Sequence, residues 1–257
     1  MVLLHAHSVV AMETIMVTGA SSGFGLETAR YFHARGWRVI ATMRTPRDDV
    51  LPVSERLTVL PLDVTDPDSI AAAFAQAGPV DVLVNNAGIG SIGVVEATPL
   101  EKARELFETN TFVVMATTKA VIPQFRERGS GIVVNVTSSV VLATMPLTAM
   151  YRASKMATEA FTASLALELA SVGVDAKIVQ PGYCPTTEFA ANGGDLSDQF
   201  PETYAEFTAP ILEAFSVQGN VTTPLDVAEA VWRAVHDTTG TLRFPAGPDA
   251  VALAQAR

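Results

Sequence analysis

Residues 14–25 have the sequence Thr-Ile-Met-Val-Thr-Gly-Ala-Ser-Ser-Gly-Phe-Gly. The first five residues predict a buried strand, and Gly19, Gly23 and Gly25 predict a tight turn that opens into a helix. At such a helix start the backbone N–H groups and the positive end of the helix dipole face outward, and glycines leave room for a pyrophosphate. The stretch therefore predicts a phosphate-binding turn, with the spacing GxxxGxG instead of GxGxxG.

Short β-branched runs alternate with helical stretches along the rest of the chain. The predicted strands are 14–18, 38–42, 57–62, 80–84, 131–137 and 175–179. The predicted helices are 23–34, 66–76, 99–126, 149–171 and 225–236. Apolar strands joined by helices suit a parallel sheet that is buried on both faces, with right-handed crossovers. We therefore predict an α/β fold: a single-domain, Rossmann-like, doubly wound parallel sheet with helices on both faces.

Two segments fall outside this alternation. Residues 1–13 predict a loose N-terminal tail ahead of a domain that spans 14–257. Residues 185–219 begin with turn formers and then carry aromatic side chains. These aromatic residues are Phe189, Phe200, Tyr204, Phe207 and Phe215. We predict an insertion that covers a substrate pocket, the alternative being a surface helix pair packed on the core.

Composition excludes several classes of function. The chain has 257 residues, of which 49% are hydrophobic and 17% charged, and its formal net charge is -10, which argues against nucleic acid or an anionic membrane as the main partner. Its four histidines lack metal-ligand spacing, so we expect no catalytic metal. The single cysteine, Cys184, has no internal disulfide partner and is expected to be a small apolar filler. With no signal-like start and no apolar run near the roughly 20 residues of a membrane span, we expect a cytoplasmic protein.

Tyr151 and Lys155 stand four positions apart in a predicted helix, and Ser138 lies thirteen positions before Tyr151. Positions i and i+4 share one helix face, so the Lys155 ammonium can lie beneath the phenol and favour its ionised form. Lowering a phenol pKa from about 10 to about 7 requires roughly 4 kcal/mol. Two unit charges about 4 Å apart supply roughly that at an effective dielectric near 20, and an oxidised nicotinamide would add a second positive charge. We therefore predict that Tyr151 is a general acid or base in hydride-transfer chemistry, with a lowered pKa.

A basic residue follows the second predicted strand. Dinucleotide folds place an acidic residue about 20 residues beyond the glycine turn to bind the ribose of NAD, and a basic residue near there for the 2′-phosphate of NADP. In this chain Arg44 comes first and Asp48 only later. We therefore predict NADP as the cofactor, with Ser22 assisting Arg44, while an ordinary solvated arginine is the alternative.

The glycine turn also fits a different class of enzyme. Residues 19–23 match G-x-S-x-G, the nucleophile elbow of serine hydrolases, with Ser21 as the nucleophile. That mechanism needs a downstream histidine, and the chain offers only His33 and His236. It also leaves Gly25 and the Tyr151–Lys155 pair without a role, so the hydrolase is the alternative hypothesis.

From residue 14 to about 246 the chain resembles the short-chain dehydrogenase/reductase family, in its shorter type. Beyond the TGxxxGxG turn, the matching motifs occur in the family's order: Leu62-Asp63-Val64, Asn85-Asn86-Ala87-Gly88, Asn110, Ser138, Tyr151, Lys155 and Pro181-Gly182 with Thr186. The resemblance implies that Ser138 binds the substrate oxygen, Tyr151 transfers the proton, and Lys155 binds the nicotinamide ribose. It also implies that Asn110 anchors a water linking Lys155 to solvent.

The resemblance further implies a cofactor site in which Asp63 and Val64 flank the adenine and Pro181, Gly182 and Thr186 hold the nicotinamide end. The predicted cofactor-binding residues are Gly19, Ser21, Ser22, Gly23, Phe24, Gly25, Arg44, Asp63, Val64, Asn86, Ala87, Gly88, Tyr151, Lys155, Pro181, Gly182 and Thr186. The predicted substrate-binding residues are Ser138, Tyr151, Met145 and Tyr183, and the substrate is a small apolar carbonyl or alcohol. Family members associate through long helices, which implies a homodimer or homotetramer formed by the helices around 100–127 and 150–171.

Val141 departs from the family pattern, since a glycine often stands three residues after the catalytic serine, and a bulkier residue there can reshape the pocket. A second alternative is a regulator that senses NADP(H) without catalysis. The complete set of Asn110, Ser138, Tyr151 and Lys155 favours the enzyme.

Overall fold

The structure is a computed structural model that describes residues 12–187, 197–216 and 221–256. The strands are β1 (Thr14–Val17), β2 (Arg38–Met43), β3 (Leu57–Pro61), β4 (Val82–Asn85), β5 (Gly131–Val136), β6 (Val174–Pro181) and β7 (Arg243–Ala246). The helices are α1 (Gly23–Ala34), α2 (Pro67–Ala77), α3 (Leu100–Phe107), α4 (Val113–Arg128), α5 (Ala149–Ala170), α6 (Ala205–Ser216), α7 (Pro224–Val235) and α8 (Pro248–Gln255). A π-helical turn, Glu108–Phe112, joins α3 to α4, and short 3₁₀ turns occur at Ser139–Val141, Ser197–Gln199 and Glu202–Tyr204.

The strands form one parallel sheet of seven strands in the order β3-β2-β1-β4-β5-β6-β7. The order reverses between β1 and β4, where the chain passes from one half of the sheet to the other. In doubly wound sheets, ligands bind in the crevice outside the carboxyl ends of the strands at this reversal. The prediction of a Rossmann-like parallel sheet is confirmed.

Helices cover both faces of the sheet. On one face α1 and α7 pack against the strands through buried side chains such as Phe32 and Val231, and on the other face α2, α4 and α5 do so through Ile70, Phe125 and Leu165. The continuous apolar runs of the central strands follow from this burial on both sides. Local signals set the helix starts: Asp66 caps α2 ahead of Pro67, and α7 begins with a Thr223–Asp226 capping box.

Several predicted boundaries were wrong. The stretch 99–126, predicted as one helix, is α3, the π turn and α4, because the wider turn accommodates one extra residue around Asn110. The strand predicted at 175–179 extends over Val174–Pro181, and the strand predicted at 80–84 is Val82–Asn85.

The C-terminal elements β7 and α8 were not predicted at all. β7 is a four-residue edge strand containing Pro245, so it lacks the β-branched run by which the other strands were found. Within the described residues, no helix is long and apolar enough to cross a membrane.

Candidate active site

The glycine turn lies where β1 ends and α1 begins. Gly19 has a positive φ of 68°, and a Cβ built there would lie 2.9 Å from the Cα of Ala87, so both its conformation and its packing require glycine. A Cβ on Gly25 would overlap the carbonyl oxygen of Gly19. The turn is therefore a compact backbone cradle at the N terminus of a 12-residue helix, which fits a dinucleotide pyrophosphate.

Asn86 holds this cradle together. Its Nδ2 donates to the carbonyl oxygens of Thr18 (3.0 Å) and Gly19 (3.1 Å), while its backbone N–H donates to the Thr18 hydroxyl at 3.0 Å. The Ala87 N–H donates to the same hydroxyl at 3.1 Å. The segment after β4 thus fixes the shape of the turn after β1. Its predicted contacts with the cofactor remain predictions.

Asp63 and Arg44 lie at the carboxyl edge of the neighbouring strands. The Asp63 carboxylate accepts the hydroxyl (2.7 Å) and the N–H (3.0 Å) of Thr65. These hydrogen bonds hold the pKa of Asp63 below its usual range, and the charge of Arg44 lowers it further. Arg44 is exposed directly after β2, the strand beside β1, which is compatible with its predicted position near the ribose. No contact in the structure tests its 2′-phosphate role.

Ser138 and Tyr151 are brought together as predicted. Ser138 follows β5 and starts a 3₁₀ turn, accepting the N–H of Val140 at 3.3 Å, while Tyr151 lies in the first turn of α5. The Ser138 hydroxyl hydrogen-bonds to the Tyr151 phenol. Two hydroxyl groups therefore converge where a carbonyl oxygen could accept from both.

Lys155 lies one turn further along α5 and is 6% exposed. Its Nζ donates to the Val136 carbonyl oxygen at 3.2 Å, which fixes the ammonium at the end of β5. Burial lowers the pKa of Lys155 to about 8. A Cβ built on Gly88 would lie 2.9 Å from Oδ1 of Asn110, so the glycine after β4 leaves room for that side chain.

The prediction of a lowered Tyr151 pKa is wrong for the polypeptide by itself. The tyrosine side chain is 5% exposed, and burial raises its pKa above the usual value of a phenol. The hydrogen bond from Ser138 acts in the opposite direction but is the smaller effect. The sequence argument counted the charge of Lys155 and omitted the loss of hydration that accompanies a buried phenolate.

Asn110 lies in the π turn and is 1% exposed. Its side chain pairs with the backbone of Ile89, accepting the N–H at 3.0 Å and donating to the carbonyl at 2.9 Å, and also donates to the Ser154 hydroxyl at 3.1 Å. Its own carbonyl oxygen accepts the Thr158 hydroxyl at 2.7 Å. Asn110 thus ties the π turn to α5 and to the loop after β4. Its predicted water remains a prediction.

An apolar cluster surrounds Tyr151. Tyr151 packs with Leu106, Val140, Val141, Leu142 and Ala250, and Met145 and Met150 pack against this cluster. Met145 therefore lies in the predicted neighbourhood, and Val141 forms part of the same wall. Tyr183 is 43% exposed, and its ring centroid lies 6.2 Å from that of Phe215 in α6. Its role in substrate binding remains a prediction.

The loop after β6 carries the remaining predicted cofactor residues. Pro181 ends the strand, and the N–H of Gly182 donates to the Ala246 carbonyl at 3.0 Å. The Thr186 hydroxyl lies 3.3 Å from Sγ of Cys184, a buried side chain, as expected for an apolar filler.

The described part of 185–219 docks on the loop after β4. Gln199, which is 5% exposed, accepts the Val94 N–H on its carbonyl at 3.0 Å, and the Tyr204 hydroxyl donates to Glu96 at 2.6 Å. Of the five predicted aromatic side chains, Phe189 lies outside the described residues, and Phe207 is 54% exposed. Whether this segment covers a substrate remains a prediction.

Sequence reasoning missed two residues beside the site. The Nε of Arg152 donates to the Val140 carbonyl at 2.8 Å and so ties α5 to the turn that carries Ser138. Asp249 accepts the N–H of Tyr183 at 2.7 Å. No pattern in the sequence marks Asp249, since the contact spans 66 residues and involves the unpredicted helix α8.

The histidines needed by the hydrolase hypothesis are engaged elsewhere. His33 Nε2 lies 2.9 Å from the Ser54 hydroxyl, and His236 Nδ1 lies 2.8 Å from the Trp232 carbonyl, with its ring stacked on that tryptophan. Neither observation favours Ser21 as a nucleophile.

Known proteins are similar to this chain in sequence and in fold. The family described as short chain dehydrogenase matches residues 13–196. Retinol dehydrogenase 8 of Bos taurus is 32% identical over 259 residues, covering 91% of this chain and 81% of that protein.

Two solved structures support the relationship. A short-chain dehydrogenase from Streptomyces avermitilis has a TM-score of 0.83 at 35% identity, covering 96% of this chain and 92% of that one. One from Burkholderia cenocepacia in complex with NADP has a TM-score of 0.77 at 27% identity, covering 95% and 92%. The cradle, the Ser138–Tyr151–Lys155 arrangement and these matches together show that the chain belongs to the short-chain dehydrogenase/reductase family of NAD(P)-dependent oxidoreductases.

Proposed function

We propose that the protein is an NADPH-dependent reductase that converts an apolar ketone or aldehyde into the alcohol, with Tyr151 as the proton donor. The observation that supports this proposal most directly is the hydrogen bond between Ser138 and Tyr151, beside a buried Lys155 whose ammonium is fixed on the Val136 carbonyl. This arrangement offers two hydroxyl donors to one substrate oxygen.

The residues divide the chemistry among themselves. A nicotinamide held at the glycine cradle would supply the hydride to the carbonyl carbon. Ser138 and Tyr151 would donate hydrogen bonds to the carbonyl oxygen, and Tyr151 would give up its proton as negative charge develops there. The positive charge of Lys155 would then stabilise the tyrosinate, and the surrounding apolar side chains would exclude water.

The protonated state of Tyr151 suits the reductive direction. A phenol is already protonated at neutral pH, and burial raises the pKa of Tyr151 further, so the residue starts in the state that a proton donor needs. Alcohol oxidation would require the same residue to start as the base. Approach of the cofactor's positive charge during oxidation would lower the Tyr151 pKa, so the reverse reaction stays open at higher pH.

Arg44 supports the choice of NADPH over NADH. It is exposed at the carboxyl end of β2, next to the strand that leads into the glycine cradle. A guanidinium there can form charge-assisted hydrogen bonds with a 2′-phosphate. The Burkholderia cenocepacia relative was crystallised with NADP, which agrees with this choice.

Apolar side chains around Tyr151 support a lipophilic substrate. Val140, Val141, Leu142, Met145 and Met150 place apolar side chains beside Tyr151, where they would bind hydrocarbon next to the carbonyl. The similarity to retinol dehydrogenase 8 is consistent with a lipophilic substrate.

We further propose a cytoplasmic homodimer or homotetramer built on α3, α4 and α5.

The test begins with nicotinamide fluorescence, titrating the protein with NADPH and separately with NADH, followed by turnover of a series of apolar ketones. We expect tighter binding of NADPH and reduction of at least one bulky apolar ketone.

Tyr151→Phe should bind NADPH within about twofold of the wild type but lose at least about 1,000-fold in kcat, since it has no proton to donate. Appreciable turnover by Tyr151→Phe would refute the assigned proton donor.

A further inference from the structure

Three segments of chain meet beside the predicted nicotinamide end. The chain leaves the sheet after β6 through Gly182 and Tyr183, and it approaches α7 through Thr222. The Thr222 N–H donates to the Tyr183 carbonyl at 2.8 Å. The third segment is the end of β7, where the Ala246 carbonyl accepts the Gly182 N–H at 3.0 Å and lies 3.0 Å from the Thr222 hydroxyl oxygen.

The carboxylate of Asp249 joins the first two segments. One of its oxygens accepts the Tyr183 N–H at 2.7 Å, and the other accepts the Thr222 hydroxyl at 2.6 Å. A Cβ built on Gly182 would overlap this carboxylate, so glycine is the residue that leaves space for it. Hydrogen bonds to an ionised acceptor are short and comparatively strong. The Asp249 side chain therefore fixes both the segment that follows β6 and the segment that leads into α7.

The same short helix also contacts the catalytic tyrosine. Ala250, the residue after Asp249, is completely buried in the apolar cluster that contains Tyr151, and Leu253 and Ala254 pack against that cluster. Helix α8 thus touches the loop after β6 with one residue and the neighbourhood of Tyr151 with the next. A shift of one contact would be transmitted to the other through a single peptide unit.

We propose that Asp249 is a positioning residue for the reaction, which sets the distance between the loop Pro181–Thr186 and the phenol of Tyr151. This inference rests on the proposed function, because the loop affects turnover only if it contacts the nicotinamide end of the cofactor. Hydride transfer needs the donor and acceptor carbons close together and correctly aligned, and a misplacement of about 1 Å can cost about 100-fold in rate. Loss of the Asp249 contacts would make this alignment less precise while leaving the glycine cradle intact.

The chain offers a matched set of variants. Asp249→Ala removes both hydrogen bonds, Thr222→Val removes only the hydroxyl while keeping the shape, and Thr222→Ser keeps the hydroxyl and serves as the rescue. The control is Thr239→Val, because the Thr239 hydroxyl also donates to an aspartate, Asp237, at 2.6 Å, beyond the opposite end of α7. Circular dichroism and thermal unfolding show which variants are folded before any comparison is made.

Two measurements are made on each variant. Hydrogen–deuterium exchange, monitored by mass spectrometry in the absence of substrate, follows peptides that contain Tyr183 and Thr222. Steady-state kinetics with NADPH and an apolar ketone give kcat and KM, and fluorescence titration gives the Kd of NADPH.

We expect exchange in these peptides to rise by about tenfold or more in Asp249→Ala and Thr222→Val, and to stay at the wild-type rate in Thr222→Ser and Thr239→Val. We expect kcat to fall by about tenfold or more in the first pair, with the Kd of NADPH within about threefold of the wild type. Unchanged exchange in Asp249→Ala would show that the carboxylate does not hold the loop. Raised exchange with an unchanged kcat would reduce Asp249 to a structural role and overturn the proposal.

Failure of the proposed function is separately visible. A wild-type protein that binds NADPH but reduces no ketone contradicts the proposed reaction, and the positioning role with it. The exchange rates still decide whether Asp249 holds the loop, because that measurement needs no turnover.

Discussion

Arg44 offers the sharpest test at the scale of single residues. Arg44→Ala should weaken NADPH binding by about 10- to 100-fold, because one charge-assisted interaction with the 2′-phosphate is worth about 1.5–3 kcal/mol. NADH binding should change by less than about twofold. Fluorescence titration with both cofactors measures this difference.

The control for Arg44 is Arg47→Ala, an exposed arginine three residues away that pairs with Asp49 at 3.0 Å. It should leave the Kd of both cofactors unchanged. Equal losses for NADPH and NADH in Arg44→Ala would contradict a role in recognising the 2′-phosphate.

Lys155 makes a prediction about the pH dependence of stability. Its pKa is lowered from 10.5 to about 8 in the folded protein, so between these pH values the unfolded chain binds more protons. The free energy of unfolding of the wild type, relative to Lys155→Met, should therefore rise from pH 8 to pH 10.5, by an amount on the order of 3 kcal/mol. Urea unfolding of both proteins at several pH values measures it.

The exposed Lys119 provides the matched control for this titration. Lys119→Met is compared with the wild type over the same pH range, as the matched loss of an exposed lysine. If the difference in unfolding free energy between the wild type and Lys155→Met does not change with pH, Lys155 is not buried as a charged group.

The residue scale also shows where sequence reasoning succeeds. The spacing of Tyr151 and Lys155 follows from helix geometry alone, and the structure brings Ser138 to them. The direction of the Tyr151 pKa depends instead on how much water the tertiary packing removes. That quantity involves Leu106, Val140 and Ala250, which are far apart in sequence, so spacing alone predicted the wrong sign.

At the scale of elements, Glu159 holds α5 to the sheet. Its carboxylate is 5% exposed and accepts the Thr137 hydroxyl at 3.0 Å, Nε2 of Gln180 at 2.9 Å and Nε of Arg243 at 3.0 Å. One side chain thereby connects the helix that contains Tyr151 and Lys155 to the ends of β5 and β6 and to β7.

Glu159→Leu should lower the free energy of unfolding by about 1–3 kcal/mol or more, because the buried amide of Gln180 would lose its acceptor. Arg243→Met should lower it by less than Glu159→Leu does, because the arginine side chain is 45% exposed and Thr137 and Gln180 would still donate to the buried carboxylate. Urea unfolding of the two variants measures the contrast. Equal losses would show that the ion pair, and not the buried hydrogen bonds, is what stabilises this junction.

Element boundaries were predictable where a local signal exists. The start of α2 at Asp66-Pro67 and the glycine turn before α1 are each determined by residues that are adjacent in sequence. The π turn at Glu108–Phe112 has no such signal, since it depends on the pairing of Asn110 with the backbone of Ile89, 21 residues away. For the same reason α8 could not be recognised as part of the site.

At the scale of the whole molecule, strand order decides what the site can contain. The alternating pattern of strands and helices predicts a parallel sheet, but it does not give the reversal between β1 and β4. That reversal opens the crevice in which the glycine cradle and the pair of Tyr151 and Lys155 face the same edge. The family resemblance implied which residues form the site, and the strand order came only from the structure.

Exposed apolar side chains on α5 and in the π turn predict that copies of this chain associate. Met156 and Leu167 of α5 are 40% and 80% exposed and lie three helical turns apart on one side of the helix, and Phe112 in the adjoining π turn is 53% exposed. A pair of copies would bury these side chains, so we expect the 27.2 kDa chain to form dimers or tetramers in light scattering at micromolar concentration. Phe112→Glu combined with Leu167→Lys should shift the mass to that of the monomer, whereas Val53→Lys, a change at a fully exposed loop residue, should not. A monomeric wild type would contradict the proposed assembly.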